Sequence, residues 1–325
     1  MTDNINDIDE KVTPEQPATE AVKSAESYVM KKKDMNAVSK KQIAMKIAVQ
    51  TGLYLFLGIM ALAVLFPFYW MLISSLKTYA EYSETVPTLW PRQFEWSNYA
   101  TAFTGELNLG RLFLNTCIVG IVSTILSLVV TVLSAYAFAR LEFKGKNALF
   151  AAMMATMMIP GELFTITNFV TVSNFGWKNT FTVLIVPFLV SIFYIYLLRQ
   201  NFMQIPNELY LAAKVDGTSD LKYLWKVMVP LAAPTLISIT ILKMMGAWNS
   251  YVWPRLVAND AAHKLITLGL RQASWPVEGL EGVEGAINYP AQMAAVVLVT
   301  IPLLLVFIFF RKYIMKGVSR SGIKG

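Results

Sequence analysis

Six stretches of this chain stay apolar over about the 20 residues that an α-helix needs to cross a hydrocarbon core. They lie near 47–74, 113–137, 148–171, 181–201, 229–254 and 290–311. Of the 325 residues, 55% are hydrophobic and 15% charged, whereas a soluble domain carries about 25% charged. Lipid is therefore the expected main solvent, and the expected fold is all-α: a polytopic membrane protein with six transmembrane helices. Pro160, Gly161, Pro187, Gly246 and Pro302 fall inside these stretches, as membrane helices tolerate where neighbours re-satisfy the backbone. Residues 1–46 are polar, with "TPEQPATE" early and "KKK" at 31–33. Such a composition cannot bury a core, so a disordered or partly helical tail is expected ahead of a transmembrane domain over 47–325. No A-x-A cleavage site follows a short apolar core near Ile47, which argues against a removed signal peptide.

Six spans put both termini on one side, and the basic residues say which. Twenty of the 28 Lys and Arg lie in the N-tail, the 138–147 loop, the 199–228 region and the C-tail. Seven lie on the other side (Lys77, Arg92, Arg111, Lys178, Arg255, Lys264, Arg271), and Lys243 falls inside the fifth span. By the positive-inside rule both termini are cytoplasmic, in a multi-pass plasma-membrane protein. The net charge of +7 then reflects topology and not nucleic-acid binding. Cys117 is the one cysteine and sits in an apolar run, leaving no disulfide or cysteine metal site. His263 is the one histidine, which excludes H-E-x-x-H zinc chemistry. No G-x-x-x-x-G-K-[ST] phosphate loop occurs, since "FKGKNAL" lacks the preceding glycine. With no nucleophile–base constellation either, the chain reads as a non-enzyme without a catalytic residue, metal or cofactor of its own.

Between the fourth and fifth spans lies "NELYLAAKVDGTSDLKYLWKVMVPL", residues 207–231, charged and alanine-dotted among apolar neighbours. Asn207 is a candidate helix cap, and Gly217 suits the left-handed position that ends a helix. Ser219 can cap a second helix, "DLKYLWKVMV", which Pro230 interrupts. The product is a helix–glycine–helix elbow on the cytoplasmic surface. Ala212 and Ala213 would let another backbone approach closely, with Lys214, Asp216, Lys222 and Lys226 available to fix orientation. The residues alone leave a second reading open, an amphipathic connector resting on lipid headgroups.

"LAAKVDG", nine residues and then "VMVP" resembles the EAA loop of ABC importer permeases, E-A-A-x-x-x-G-x9-I-x-L-P. Ala212, Ala213, Gly217 and Pro230 match that pattern; Val227 and Val229 are mild replacements. Leu211 stands where the family usually has Glu, and Glu208 lies one turn earlier. "PFYWMLISSLKT" (67–78), "NTCIVGIVSTILSLVVTVLSAYAFARLEFKGK" (115–146), "MIPGEL" (158–163), "WNSYVWP" (248–254) and "GVSRSGIKG" at the end are similar to carbohydrate-uptake permeases, the MalG-like half of a two-permease pair. The resemblance runs from about residue 47 to the end. It implies a permease subunit of an ATP-driven sugar importer and a second, MalF-like permease. It also implies separate ABC ATPase subunits that bind ATP and Mg and dock on 207–231, and an extracytoplasmic solute-binding protein.

Under that resemblance the solute passes between the two permeases. Trp248, Asn249 and Tyr251 of "WNSYVWP" are candidate pathway residues, with Asn249 and Ser250 able to hydrogen-bond sugar hydroxyls, against an alternative as an interfacial aromatic belt with polar packing groups. Glu162 and Lys243 are the clearest ionisable residues inside spans, where charges usually face a cavity or pair. Equal depths, roughly 21 Å at 1.5 Å per residue, make an ion pair between them one expectation and snorkelling of Lys243 the other. The loop 255–289, with "ASWPVEGLEGVEGAINYP", is expected to be a flexible hydrated surface that reaches toward the binding protein. Two function classes stay open: another polar cargo such as a phosphorylated polyol, hinted at by Lys243, and an ion-coupled secondary transporter, which would call for paired repeats. A non-conducting membrane interaction subunit is a further alternative.

Overall fold

The computed structural model describes Ser27 and residues 40–104, 108–277 and 286–319, with no strand among the described residues. Most of the polar tail, the end of the "GVSRSGIKG" segment and Glu278, Glu281 and Glu284 lie outside them. Two compact units, Met1–Phe68 and Tyr69–Gly325, divide the chain inside the first helix, α1 (Lys40–Ser74). In the first unit, α1 is apolar and exposed around its circumference at Leu53, Phe56, Leu62 and Leu65, as befits a helix that faces lipid.

The second unit is arranged on α3 (Leu109–Arg140), which follows the short α2 (Ser97–Thr104). Its 32 residues make it about 48 Å long at 1.5 Å per residue, so its two ends anchor separate clusters. Small buried side chains along it (Ser123, Ser127, Thr131, Ala135) let neighbouring backbones approach, the usual device where lipid supplies no hydrophobic drive. Against it pack α7 (Ile192–Met203) and α10 (Ala233–Trp248). Near its start, Leu109 and Leu112 meet Trp248 and Ile266. Here α12 (Ile266–Gln272) lies so close that a Cβ on Gly269 would stand 2.3 Å from Leu112 Cδ1. The Asn115 side-chain amide donates to the carbonyls of Ala262 (2.9 Å) and Lys264 (3.0 Å), and Thr116 Oγ1 accepts from the Ile266 N–H (2.9 Å).

Among the described residues, three helices are long and apolar enough to cross a membrane: Ile43–Ser74 within α1, α3, and Tyr289–Lys312 within α13 (Tyr289–Ser319). The three other expected spans are each two helices meeting at an angle. α4 (Lys146–Thr156) meets Gly161–Asn174, which contains α5 (Thr165–Asn174), at 84°. Phe181–Phe188, beginning with α6 (Phe181–Ile185), meets α7 at 45°. Asp220–Leu231 meets α10 at 80°. Proline supplies the local cause: Pro160 caps the turn at the first break, Pro187 lies just before the second, and Pro230 and Pro234 flank the third. A ring without an N–H cannot continue the ladder but sits comfortably in a first turn.

The expectation of a flexible 255–289 loop is corrected over its described part. α11 (Val252–Val257) and α12 order it, and Leu265, Ile266, Leu268, Trp275 and Val277 are buried. The glycines and glutamates that suggested a hydrated surface cluster in 278–285, outside the described residues.

Candidate functional site

At the Arg140 end of α3, the segment 207–231 folds into two helical pieces across a glycine turn. α8 (Asn207–Val215) starts after Pro206 and ends in a Schellman turn. The Gly217 N–H donates to the Lys214 carbonyl (3.1 Å) and the Thr218 N–H to that of Ala213 (2.8 Å), with Gly217 at φ +67°. That pairing satisfies the last carbonyls of the helix and requires a left-handed residue at its hinge. Two local expectations are corrected. Asn207 does not cap α8 but is its first residue, and its side-chain oxygen accepts from the Arg140 guanidinium at 3.1 Å. Ser219 occupies the N-cap of α9 (Asp220–Tyr223) without a capping bond from its side chain.

α9 passes into a π-helical turn, Leu224–Met228. The widened turn directs Tyr223, Leu224 and Met228 inward, all at most 1% exposed, among Val132, Tyr136, Leu198 and Phe202 of α3 and α7. Full burial of each such side chain contributes about 1.5–3 kcal/mol. Asp220, missed in the sequence, joins the loop to α3: it accepts from Tyr136 Oη (2.9 Å), Tyr210 Oη (3.0 Å) and Lys214 Nζ (3.0 Å). The bond to Asp220 raises the Lys214 ammonium above the ordinary lysine value. That ion pair is partly exposed, where solvent screens most of the attraction. Apolar burial therefore holds the elbow down, and Asp220 sets its register. Arg140, also missed, donates to the Phe202 carbonyl (3.2 Å) and to that of Ile205. The pattern could not show how either residue ties the loop to another helix, because Tyr136 lies 84 residues from Asp220 and Phe202 lies 62 from Arg140.

The opposite side of the elbow is open. Leu209, Leu211, Val215, Leu221 and Trp225 are exposed, as are Glu208, Asp216 and Pro230. A groove of about 280 Å³ runs between the helices, bordered by Ala212, Ala213, Asp216, Lys222 and Lys226.

Deeper along α3, a cavity of about 430 Å³ is lined by Ser123, Phe188, Ser191, Tyr194, Lys243, Ser250 and Trp253, among others. It lies beside the 45° break, and the Lys243 ammonium donates to the Phe188 carbonyl there. Of the residues the sequence offered for the pathway, Lys243 and Ser250 line this cavity. Glu162 is exposed in the Gly161–Phe164 turn and makes no ion pair with Lys243. Trp248 is buried edge-on against Phe113, centroids 5.2 Å apart. The Asn249 side-chain amide donates to the Met245 carbonyl at 2.9 Å, and Tyr251 lies under the Arg271 guanidinium at 4.4 Å. The belt reading of the tryptophans is likewise corrected, since Trp253 is buried with its indole N–H donating to the Val183 carbonyl at 2.9 Å. Ser123, Ser191 and Tyr194 were missed; hydroxyls in apolar helices carry no local mark of the face they take.

Known proteins place this arrangement. Its fold is similar to that of a bacterial ABC transporter involved in import of the acidic polysaccharide alginate, with TM-score 0.75 and 24% identity over 85% of this chain and 98% of that one. The arabinooligosaccharides transport system permease protein AraQ of Bacillus subtilis (strain 168) is 28% identical over 276 residues, 84% of this chain and 95% of its own length. The diacetylchitobiose uptake system permease protein NgcG of Streptomyces coelicolor is 32% identical over 261 residues, 79% of this chain and 83% of its own. Residues 127–320, which contain the whole elbow and most of the cavity wall, match the family described as binding-protein-dependent transport system inner membrane component. The chain belongs to that family.

Proposed function

We propose that this chain is one permease subunit of an ATP-driven, binding-protein-dependent saccharide importer, and that 207–231 is the surface on which a separate ATPase docks. Family membership supports the importer reading, and relatives named for arabinooligosaccharide and diacetylchitobiose uptake support a saccharide cargo. The observation that carries the docking assignment is the two-sided elbow: Tyr223, Leu224 and Met228 are buried on α3 and α7, while Leu211, Val215, Leu221 and Trp225 are left bare beside a groove. Bare apolar groups of that size in a polar segment mark an interaction site. Leu211 takes part as an exposed apolar contact, and Lys222 and Lys226 beside the groove orient the docked protein.

In this mechanism six spans place both termini in the cytoplasm of a plasma-membrane protein. ATP and Mg are held by the partner ATPase. Its closure pulls the elbow, and the π turn and the 80° bend at Ala232 pass the displacement to α10, which walls the cavity. A second, homologous permease closes the other side of the pathway, and an extracytoplasmic binding protein delivers the solute.

The test is purification of the tagged chain from its native membrane in mild detergent, beside Ala212→Trp, which fills the groove from an exposed position. Wild-type chain should bring down an ATPase and a second permease, and the variant should lose the ATPase while keeping the permease. A chain that purifies alone in both forms would reject the assignment.

A further inference from the structure

We propose that the cavity beside the 45° break is a solute subsite for an anionic substituent, a carboxylate or phosphate carried on the translocated saccharide, and that Lys243 is its counter-charge. The inference rests on the importer reading and deepens it by naming the class of cargo.

Position comes first. Lys243 lies ten residues into α10, which begins after the 80° bend. At 1.5 Å per residue that is about 15 Å along the helix, well inside its apolar run. An ionisable side chain at that depth is a functional feature by default, because lipid cannot hold its charge. The structure gives it no opposite charge: ion pairs within 4.0 Å among the described residues join Arg92–Glu84, Lys146–Glu142, Lys214–Asp220 and His263–Asp260. Lys243 is half-buried and donates to the Phe188 carbonyl. An ammonium has three donors, so this bond fixes the head and leaves two for the cavity.

The surroundings match that role. Ser123, Ser191, Ser250 and Tyr194 line the same cavity as Lys243, together with the apolar Phe188 and Trp253. Hydroxyls donate to or accept from sugar oxygens, and flat apolar walls suit C–H faces. A volume of about 430 Å³ falls within the ~300–1,000 Å³ of small-molecule sites. A neutral sugar could be oriented by the hydroxyls alone. A lysine tethered to a main-chain carbonyl adds a fixed positive charge, and the anion on the cargo is what that charge discriminates. The lysine is held by the break itself: straighten the helix and the carbonyl that seats it is lost to the ladder.

The experiment is equilibrium binding to the assembled importer in lipid nanodiscs at low salt, without the binding protein. Trigalacturonate is compared with its methyl ester, and glucose 6-phosphate with glucose. Each anionic probe should bind at least tenfold more tightly than its neutral match, and the two pairs show whether carboxylate or phosphate is preferred. Lys243→Gln keeps a donor for the Phe188 carbonyl and should abolish the difference; Lys243→Arg should retain it. Equal binding within both pairs would overturn the proposal. So would a charge preference that survives Lys243→Gln, which would place the cation on another subunit. The importer reading fails separately, by absence of a co-purifying ATPase.

Discussion

Asp220 and Gly217 show how much a single residue decides in the elbow. Gly217 stands at φ +67° with no heavy atom within 4 Å of an added Cβ, so substitution there strains the backbone without a clash. A β-branched residue is the worst case at positive φ. Gly217→Val should therefore leave the transmembrane unit folded but unravel the end of α8. ATPase activity of the assembled complex should fall at least fivefold at unchanged permease yield. Asp220→Asn tests register in place of shape. It keeps an acceptor for Tyr136 and Tyr210 but loses the attraction to Lys214, a partly exposed pair that solvent screens. Thermal stability should change little, whereas Asp220→Ala, which also leaves the buried Tyr136 hydroxyl without its partner, should cost about 1–3 kcal/mol. Thermal unfolding of both variants in detergent decides the ranking.

Among the elements, the contact of α12 with α3 is the tightest glycine approach. Gly269 faces Leu112 with room for a hydrogen only, since a Cβ would lie 2.3 Å from Cδ1 and 3.0 Å from Cδ2. Gly269→Ala must displace Leu112 from a site where it is 4% exposed, and overpacking of that kind costs about 1–3 kcal/mol. The variant should unfold at a lower temperature than wild type, and adding Leu112→Ala should recover part of the loss by making room. An additive double mutant would show that the two residues do not share that space. The broken spans follow the same logic. Prolines at 160, 187, 230 and 234 supply the interruption, but the angles of 84°, 45° and 80° come from what each half packs against.

Orientation in the bilayer belongs to the whole molecule. The elbow and the α12 cluster hang on opposite ends of α3, about 48 Å apart along a 32-residue helix. If all six apolar stretches span, twenty of the 28 basic residues fall on the elbow's side, and that side should be cytoplasmic. In a Cys117→Ala background, a cysteine at exposed Lys222 should react with an impermeant maleimide only in inverted vesicles. One at exposed Asn259 should react only in intact cells. The reverse pattern would invert the topology and remove the elbow from any cytoplasmic ATPase.

The sequence by itself determined the helical class, the apolar stretches and the helix–glycine–helix plan of the elbow. These follow from local causes: run length, the missing Cβ of Gly217 and the missing N–H of proline. Ala212, Ala213 and Lys243 were legible for the same reason, small or charged groups out of place in their surroundings. Tertiary structure alone decided what those residues meet. Asp220 reaches Tyr136 across 84 residues, Asn115 reaches Ala262 across 147, and Lys243 reaches Phe188 across 55. It also turned Trp248 and Trp253 from an expected membrane belt into core, and left Glu162 apart from Lys243. Hydropathy ranks side chains by their preference for leaving water; it does not say whether lipid, a neighbouring helix or a cavity receives them. That choice is made by packing between helices whose partners are distant in sequence.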